Sequence, residues 1–416
     1  MNHLVGGISS AGRVLPDMDG ERFLVARSQG PFIWDAAARR YVDTALGFGA
    51  TVVGHGHPLI VERVREALDR GPMPAFAHAQ EENAAAALAR HTGALSKVVF
   101  VNTGSEAVHL ACRVARAFTG RGTVVKFAAG YDGWLDDVAY GNVNSMDALM
   151  AANRRPTRGQ VTLTRFNDKA DAELLFAENA DIAAVVIEPV LANAGCILPE
   201  PGYLEHLVAL ARANGALVIA DEVLMGFRLH AGLASAHMGI EADLATVGKA
   251  IGSGFTVAAV VGKPEIMGVF EDGRANRAGT YNGNPVVCAA VCATLELLDT
   301  VDFDLIMRRG DRLRHAAAAA FAERGTPVTS TGYGSVFTFW RGATAPTNYA
   351  EAARMIDPDF TRSVHFGLRR NGVISMPAPF GRHYLSCEHD DEAMEILEAA
   401  FAAVAKRPLD AMTALS

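Results

Sequence analysis

The stretch Ala216-Leu217-Val218-Ile219-Ala220-Asp221-Glu222-Val223 decides how this chain folds. Its apolar part is short enough for a buried strand and rich in β-formers, and two carboxylates stand where that strand ends. In open α/β sheets, ligands bind at the carboxyl ends of the strands. A second short run, Leu244 to Val247, ends in Gly248-Lys249, with Gly252 and Gly254 just beyond. A lysine on such a turn can meet Asp221 in one cleft. That pair suits pyridoxal phosphate (PLP), where a lysine forms the Schiff base and a carboxylate keeps the pyridine nitrogen protonated. On these residues alone the alternative stands level: a surface lysine and a strand-end aspartate that never meet.

Working outward, Lys97 to Val101 reads as a strand, and Asn102-Thr103-Gly104-Ser105-Glu106-Ala107 turns it into a helix reaching about Phe118. Free N–H groups and the helix dipole at such a turn favour a phosphate; plain N-capping by Thr103 or Ser105 is the simpler reading. Thr123 to Phe127 is the next strand, ending near Tyr131-Asp132-Gly133-Trp134. Ala183 to Ile187 is another, ending in Glu188-Pro189, and a helix from Tyr203 to Asn214 leads back to the Asp221 strand. Alternation of strand and helix over 97–261 predicts a mostly parallel sheet wrapped by helices. The polar, irregular segment 142–159 reads as a mobile flap.

Upstream, residues 1–30 read as a loop-dominated arm, Pro31 to Asp43 as a hairpin and Gly47 to His57 as a glycine-rich loop. Pro58 to Leu68 and Glu81 to His91 read as helices. Downstream, Asn284-Pro285 opens a helix to about Leu298, and Phe303 to Arg324 is another. From Pro327 the pattern becomes α+β, with strands near 328–340 and 373–376 and helices near 359–370 and 390–405. The expected domains are an arm and hairpin (1–45) that joins the small domain, a large domain (46–300) and a C-terminal small domain (301–416).

The 416 residues are half apolar and about a fifth charged, as in an ordinary soluble enzyme. A net charge of −8 argues against nucleic acid. The five cysteines are odd in number and lack a Cys-x-x-Cys pair, which suggests reduced thiols in a cytoplasmic protein. No h-region and no apolar run of membrane-spanning length appear, so no membrane is expected. His55 and His57 flank a glycine before Pro58, where a turn explains them better than a metal does.

In order along the chain stand Gly6-Gly7-Ile8-Ser9-Ser10-Ala11-Gly12-Arg13, Ile33-Trp34-Asp35, Gly54-His55-Gly56-His57-Pro58 and Asn102 to Ala107. Then come Glu188-Pro189-Val190 with Asn193-Ala194-Gly195, Asp221-Glu222-Val223 with Gly226-Phe227-Arg228, Gly248-Lys249, and Ala278-Gly279-Thr280 with Gly283-Asn284-Pro285. Over nearly its whole length the chain thus resembles the class III aminotransferases of PLP fold type I, and within them the glutamate-1-semialdehyde aminomutase branch. The resemblance implies an aspartate-aminotransferase-like α/β fold and roles for single residues. Lys249 would hold the cofactor and later shuttle a proton. Asp221 would pair with the pyridine nitrogen, Val223 and Tyr131 would flank the ring, and Asn193 would bond its oxygen. Gly104 and Ser105 would hold the phosphate, joined by Thr280 from the partner subunit, so that the expected unit is a homodimer with shared active sites. Glu188 and Glu222 would orient the site or close structural hydrogen bonds. Retention of Lys249, Asp221 and the phosphate turn argues against a non-catalytic binding protein on the same fold.

The chain departs from the aminomutase pattern on the substrate side. Tyr131-Asp132-Gly133-Trp134 stands for the usual Tyr-His-Gly, Gly47-Phe48-Gly49 for Ser-Trp-Gly, and Gly279-Thr280-Tyr281-Asn282 for Gly-Thr-Leu-Ser. Gly381, next to Arg382, stands where an acidic residue is expected. These changes point to a true transaminase rather than a mutase. Ser10 and Arg13 match positions facing a substrate carboxylate, with Arg382 a second candidate for glutamate as donor; Arg228 reads as structural. Small residues at Gly47 and Gly381 suggest room for a bulky acceptor. Phe48 and Trp134 would line its site, and Asp132 would partner an ammonium group or sit in a solvated loop. A 6′-oxo aminoglycoside of antibiotic biosynthesis is the favoured acceptor. The alternatives are the aminomutase itself and a β-amino acid transaminase.

Overall fold

A computed structural model describes residues 3–150, 157–158 and 160–406. Of the 142–159 segment expected to form a flap, 151–156 and 159 lie outside the described residues. The described part includes the short helix Met146–Met150.

The Asp221 strand lies inside an eight-stranded sheet. Its order is 97–101, 258–262, 244–247, 217–221, 182–187, 123–127, 161–164 and 157–158. The pairs from 244–247 across to 161–164 are all parallel. Ala258–Gly262 runs against both its neighbours, so Lys97–Val101 points the same way as the parallel set. The ends at Val101, Phe127, Ile187, Asp221 and Val247 therefore share one edge.

The central strands are apolar throughout because both faces are covered. Side-chain alternation then sorts them between two cores. Val185, Ile187, Val218 and Ala220 pack into the larger, with the helices Tyr203–Ala213 and Pro285–Leu298. Ala184, Val186, Leu217 and Ile219 pack beneath the helix Gly104–Thr119. Gly120, with φ +69, ends that helix in a left-handed cap.

A third core gathers Phe303–Ala322, Pro358–Arg370 and Asp391–Ala405 over a three-stranded antiparallel sheet. The expected strand region 328–340 is two strands, Val328–Tyr333 and Val336–Arg341, folded back at Gly334. Only glycine fits there, since a Cβ would stand 2.0 Å from the Met307 carbonyl. The arm expected as loop contributes a strand, Val25–Gln29, against Phe32–Asp35. Arg40–Asp43 pairs in parallel with Val373–Ile374, which joins the two ends of the chain in one sheet. Among the described residues no helix is long and apolar enough to cross a membrane.

Candidate active site

A cavity of about 330 Å³ opens at the shared strand edge, within the usual range for small-molecule sites. It is lined by Gly104, Ser105, Tyr131, Asp132, Glu188, Asn193, Asp221, Val223 and Lys249 among others. The chain brings them together from loops that each follow a parallel strand.

At one end the helix Gly104–Thr119 is closed by a reciprocal cap. Thr103 Oγ1 accepts from the Glu106 N–H at 3.2 Å, and Glu106 Oε2 accepts from the N–H groups of Asn102 and Thr103 at 2.8 and 2.9 Å. The cap leaves the N–H groups of Gly104 and Ser105 without an acceptor among the described residues. Capping thus leaves two N–H donors free for an anion. Gly104 lies directly on Val223, since a Cβ there would stand 2.7 Å from Val223 Cγ1. Ser105 Oγ accepts from the Trp134 N–H at 3.3 Å.

At the other end Asp221 is 5% exposed, and its Oδ1 accepts from Thr246 Oγ1 and the Val223 N–H, both at 3.0 Å. Thr246 lies opposite Asp221 in the strand register. Oδ2 has no hydrogen bond among the described residues. Burial first, then the charge of Asp132, raises the Asp221 carboxyl to about 7. Lys249 follows the next strand with φ +42, a left-handed backbone rare for a lysine and often found at functional sites. Its side chain is surrounded by protein yet reaches the cavity, and it forms no hydrogen bond with the described residues. Burial, and then the positive charge of Arg382, lowers the ammonium to about 8.

The remaining expected residues divide clearly. Glu188 lines the cavity and accepts from the Tyr131 N–H at 2.8 Å. Glu222 turns away and caps the short helix Ala234–His237, accepting from the Ala234 and Ser235 N–H groups at 3.0 and 2.6 Å. Asp132 is not a solvated loop residue. It is 3% exposed and ion-paired with Lys126 at 2.8 Å, so its carboxylate is not free for a substrate ammonium. Gly381 does not make room either: a Cβ there would stand 2.4 Å from the Met376 carbonyl, so its own loop occupies the space. Arg382 is buried one layer behind the cavity, donating to Tyr384 Oη at 2.7 Å and to the Ala192 and Asn193 carbonyls at 3.4 and 3.2 Å. No carboxylate pairs with it among the described residues. Arg228 donates to the Leu224 and Gly49 carbonyls and stacks on Tyr384, holding the Gly47-Phe48-Gly49 turn.

Ser10, Arg13, Phe48, Trp134 and Thr280 do not line the cavity of their own chain. Ser10 and Arg13 flank an exposed turn whose Gly12 lies against Phe48, and Trp134 is 70% exposed. The neighbouring Asn282 accepts from Asn102 Nδ2 at 2.8 Å, which sets the Thr280 turn beside the phosphate end. Lys126 escaped notice in the sequence. Its signal was a lysine within the apolar run Thr-Val-Val-Lys-Phe, where it is 1% exposed and must be paired.

These residues fit PLP. Two unbonded N–H groups at a helix start suit its phosphate, a buried carboxylate with one unbonded oxygen suits its ring nitrogen, and an unbonded lysine of lowered pKa suits its aldehyde. Comparison with known proteins agrees. The glutamate-1-semialdehyde 2,1-aminomutase of Methanothermobacter thermautotrophicus is 35% identical over 407 residues, 96% of this chain and 95% of the relative. An omega-transaminase from Sphaerobacter thermophilus superposes with a TM-score of 0.87 at 30% identity, covering 97% of this chain and 94% of that one. A beta-phenylalanine aminotransferase from Variovorax paradoxus gives 0.85 at 28% identity, covering 96% and 90%. The family description "Aminotransferase class-III" matches residues 16–320. With its lysine, carboxylate and phosphate turn on one sheet edge, the chain belongs to the class III aminotransferases and is a PLP-dependent enzyme.

Proposed function

We propose that the protein is an intermolecular transaminase that takes the amino group of a carboxylate-bearing donor, glutamate first, and passes it to a separate carbonyl acceptor. The observation that carries this is Arg382, a buried guanidinium bonded only to neutral oxygens, whose charge is felt at Lys249. A buried cation without an anionic partner is costly, and a substrate carboxylate is the natural complement. The departure from mutase chemistry rests on Gly381, where the loop excludes the acidic side chain that the aminomutase pattern carries.

Bound PLP supplies an electrophilic carbonyl and a ring that accepts the electron pair freed at the substrate carbon. Gly104 and Ser105 hold the phosphate by backbone N–H groups. Asp221, its Oδ1 fixed by Thr246 and Val223, offers Oδ2 to the ring nitrogen. Val223 would pack against one ring face and Tyr131 against the other, while Asn193 would bond the ring oxygen. Lys249 Nζ would hold the cofactor and, as a free amine of lowered pKa, could carry a proton as general base. Thr280 of the partner subunit completes the phosphate site, which makes the homodimer the working unit.

For the acceptor, the exposed indole of Trp134 still favours a flat or sugar-like molecule, including a 6′-oxo aminoglycoside. The commitment of Asp132 to Lys126 removes the second support for an amino sugar. A β-amino acid as donor uses the same guanidinium.

The test follows cofactor absorbance in half-reactions. Glutamate and β-amino acids should convert the cofactor to its amine form, and candidate aldehydes should reverse it. Arg382→Ala should raise the KM for donors far more than it lowers kcat. Efficient conversion of glutamate-1-semialdehyde to 5-aminolevulinate, with no turnover between separate donor and acceptor, would make the protein an aminomutase and refute the proposal.

A further inference from the structure

At the wall of the cavity three buried carboxylates, Asp132, Glu188 and Asp221, come together, and Lys126 is ion-paired with the first of them. Lys126 Nζ donates to the Val138 carbonyl and Asn142 Oδ1, both at 2.7 Å, and faces Asp132 Oδ2 at 2.8 Å. Two of its protons are thereby used, and its charge stands against the Asp132 carboxylate as a buried ion pair. Glu188 is not so provided for. Its Oε1 accepts only the Tyr131 N–H, a single bond that favours the carboxylate, and Oε2 accepts none among the described residues. A Cβ on Gly130 would stand 2.7 Å from Glu188 Oε1 and 3.1 Å from Asp132 Oδ2, so these oxygens lie within about 6 Å of each other, near enough for like charges to act.

We propose that Asp132 is a positioning residue for the cofactor end of the site: its carboxylate, held ionised by Lys126, keeps Glu188 neutral, so that Asp221 alone carries negative charge toward the ring. The charged groups facing Glu188 are Asp132, Asp221 and Lys126, with Lys249 and Arg382 acting on it as further cations. Burial, then Asp132, then Asp221 oppose its ionisation, and they outweigh the backbone bond and Lys126. In this chain, therefore, the protonation of the cofactor pocket is governed by a buried acid cluster.

The consequence for the ring rests on Asp221 being its partner, but the state of Glu188 is measured independently of that. The experiment is an infrared pH titration of the PLP-loaded enzyme, with the carboxylic C=O stretch of Glu188 identified by its loss in Glu188→Gln. The band should persist through neutral pH, and its midpoint should fall by about 1–3 pH units in Asp132→Asn. An ionised Glu188 at neutral pH in the unaltered enzyme would overturn the inference, whether or not the variant folds. So would an unchanged midpoint in folded Asp132→Asn or Asp132→Ser. A purely structural role would lower thermal stability and leave the midpoint in place. Failure of the Asp221 reading would show separately, as an unaltered cofactor spectrum in Asp221→Asn.

Discussion

An alanine at position 104 probes the cofactor end of the site where it is tightest. The added methyl would stand 2.7 Å from Val223 Cγ1 and 3.1 Å from Cγ2. Val223 is β-branched and stiff at χ1, so it cannot swing aside. Either the helix start or the Asp221 turn must move by several tenths of an ångström. Backbone angle is not the obstacle, because Gly104 opens a helix, where alanine is favoured by at most about 1 kcal/mol. Overpacking of this kind costs about 1–3 kcal/mol. If the strain falls on the alignment of the two phosphate-binding N–H groups with Asp221, PLP affinity drops by about 5- to 150-fold. The assay is a PLP titration of cofactor-free protein, with Gly104→Ala, Val223→Ala and the pair measured together. The clash needs both side chains, so trimming Val223 should restore much of the lost affinity, with a coupling of about 0.5–3 kcal/mol. Unchanged affinity in Gly104→Ala, or two losses that simply add, would refute the reasoning.

Lys249→Ala should abolish turnover while the fold and non-covalent PLP binding survive; near-normal transamination would remove Lys249 from its role. If Thr280 of the partner subunit completes the phosphate site, mixing inactive Lys249→Ala chains with inactive Thr280→Ala chains should restore activity in hybrid dimers. Verified hybrids without recovery would place the whole site in one chain. In cofactor-free protein, Glu188 and Lys249 should contribute opposite slopes to stability on the two sides of about pH 8. Glu188 titrates at about 8 when folded against 4.5 ordinarily, so the unfolded chain holds fewer protons between these values and stability falls as pH rises. Lys249 titrates at about 8 against 10.5, so in that higher window the unfolded chain holds more protons and stability rises. In melting curves across pH, the Glu188→Gln variant should therefore lose stability less steeply than the unaltered chain as pH rises toward 8, and Lys249→Ala should gain less above it. Slopes unchanged in both variants would contradict the assignment.

What the sequence made legible follows from where its signals are local. Strands buried on both faces, such as Leu217–Asp221, read as unbroken apolar runs bounded by turn residues, and the loops after them carry the chemistry. The strand Val25–Gln29 stayed invisible because all five of its residues are exposed, so no alternation of burial marks it. The pairing of Arg40–Asp43 with Val373–Ile374 spans most of the chain and leaves no local trace. Gly381 was misread for a similar reason. A small residue signals either an open space or a crowded one, and only the Met376 carbonyl beside it tells which.

The same distinction explains why the cofactor end was easier to read than the substrate end. The residues that fit PLP are backbone N–H groups at a helix start and side chains one or two positions past a strand, so spacing in sequence nearly fixes position in space. On the proposed reading, substrate groups would meet Arg382, which comes from a distant strand, Arg382–Tyr384, and is held by the Ala192 and Asn193 carbonyls. They would also meet Trp134 and Tyr281, whose exposure at 70% and 64% marks surfaces that a partner chain or a ligand can cover. Asp132 belongs to both ends: it follows the Tyr131 loop into the cavity, yet its partner Lys126 lies inside the preceding strand. A reading confined to loops assigns it to substrate, whereas the buried ammonium draws it behind the cofactor. On the proposed reading, substrate choice falls to Arg382 and the exposed rim, while the acid cluster at Asp132 acts at the cofactor end.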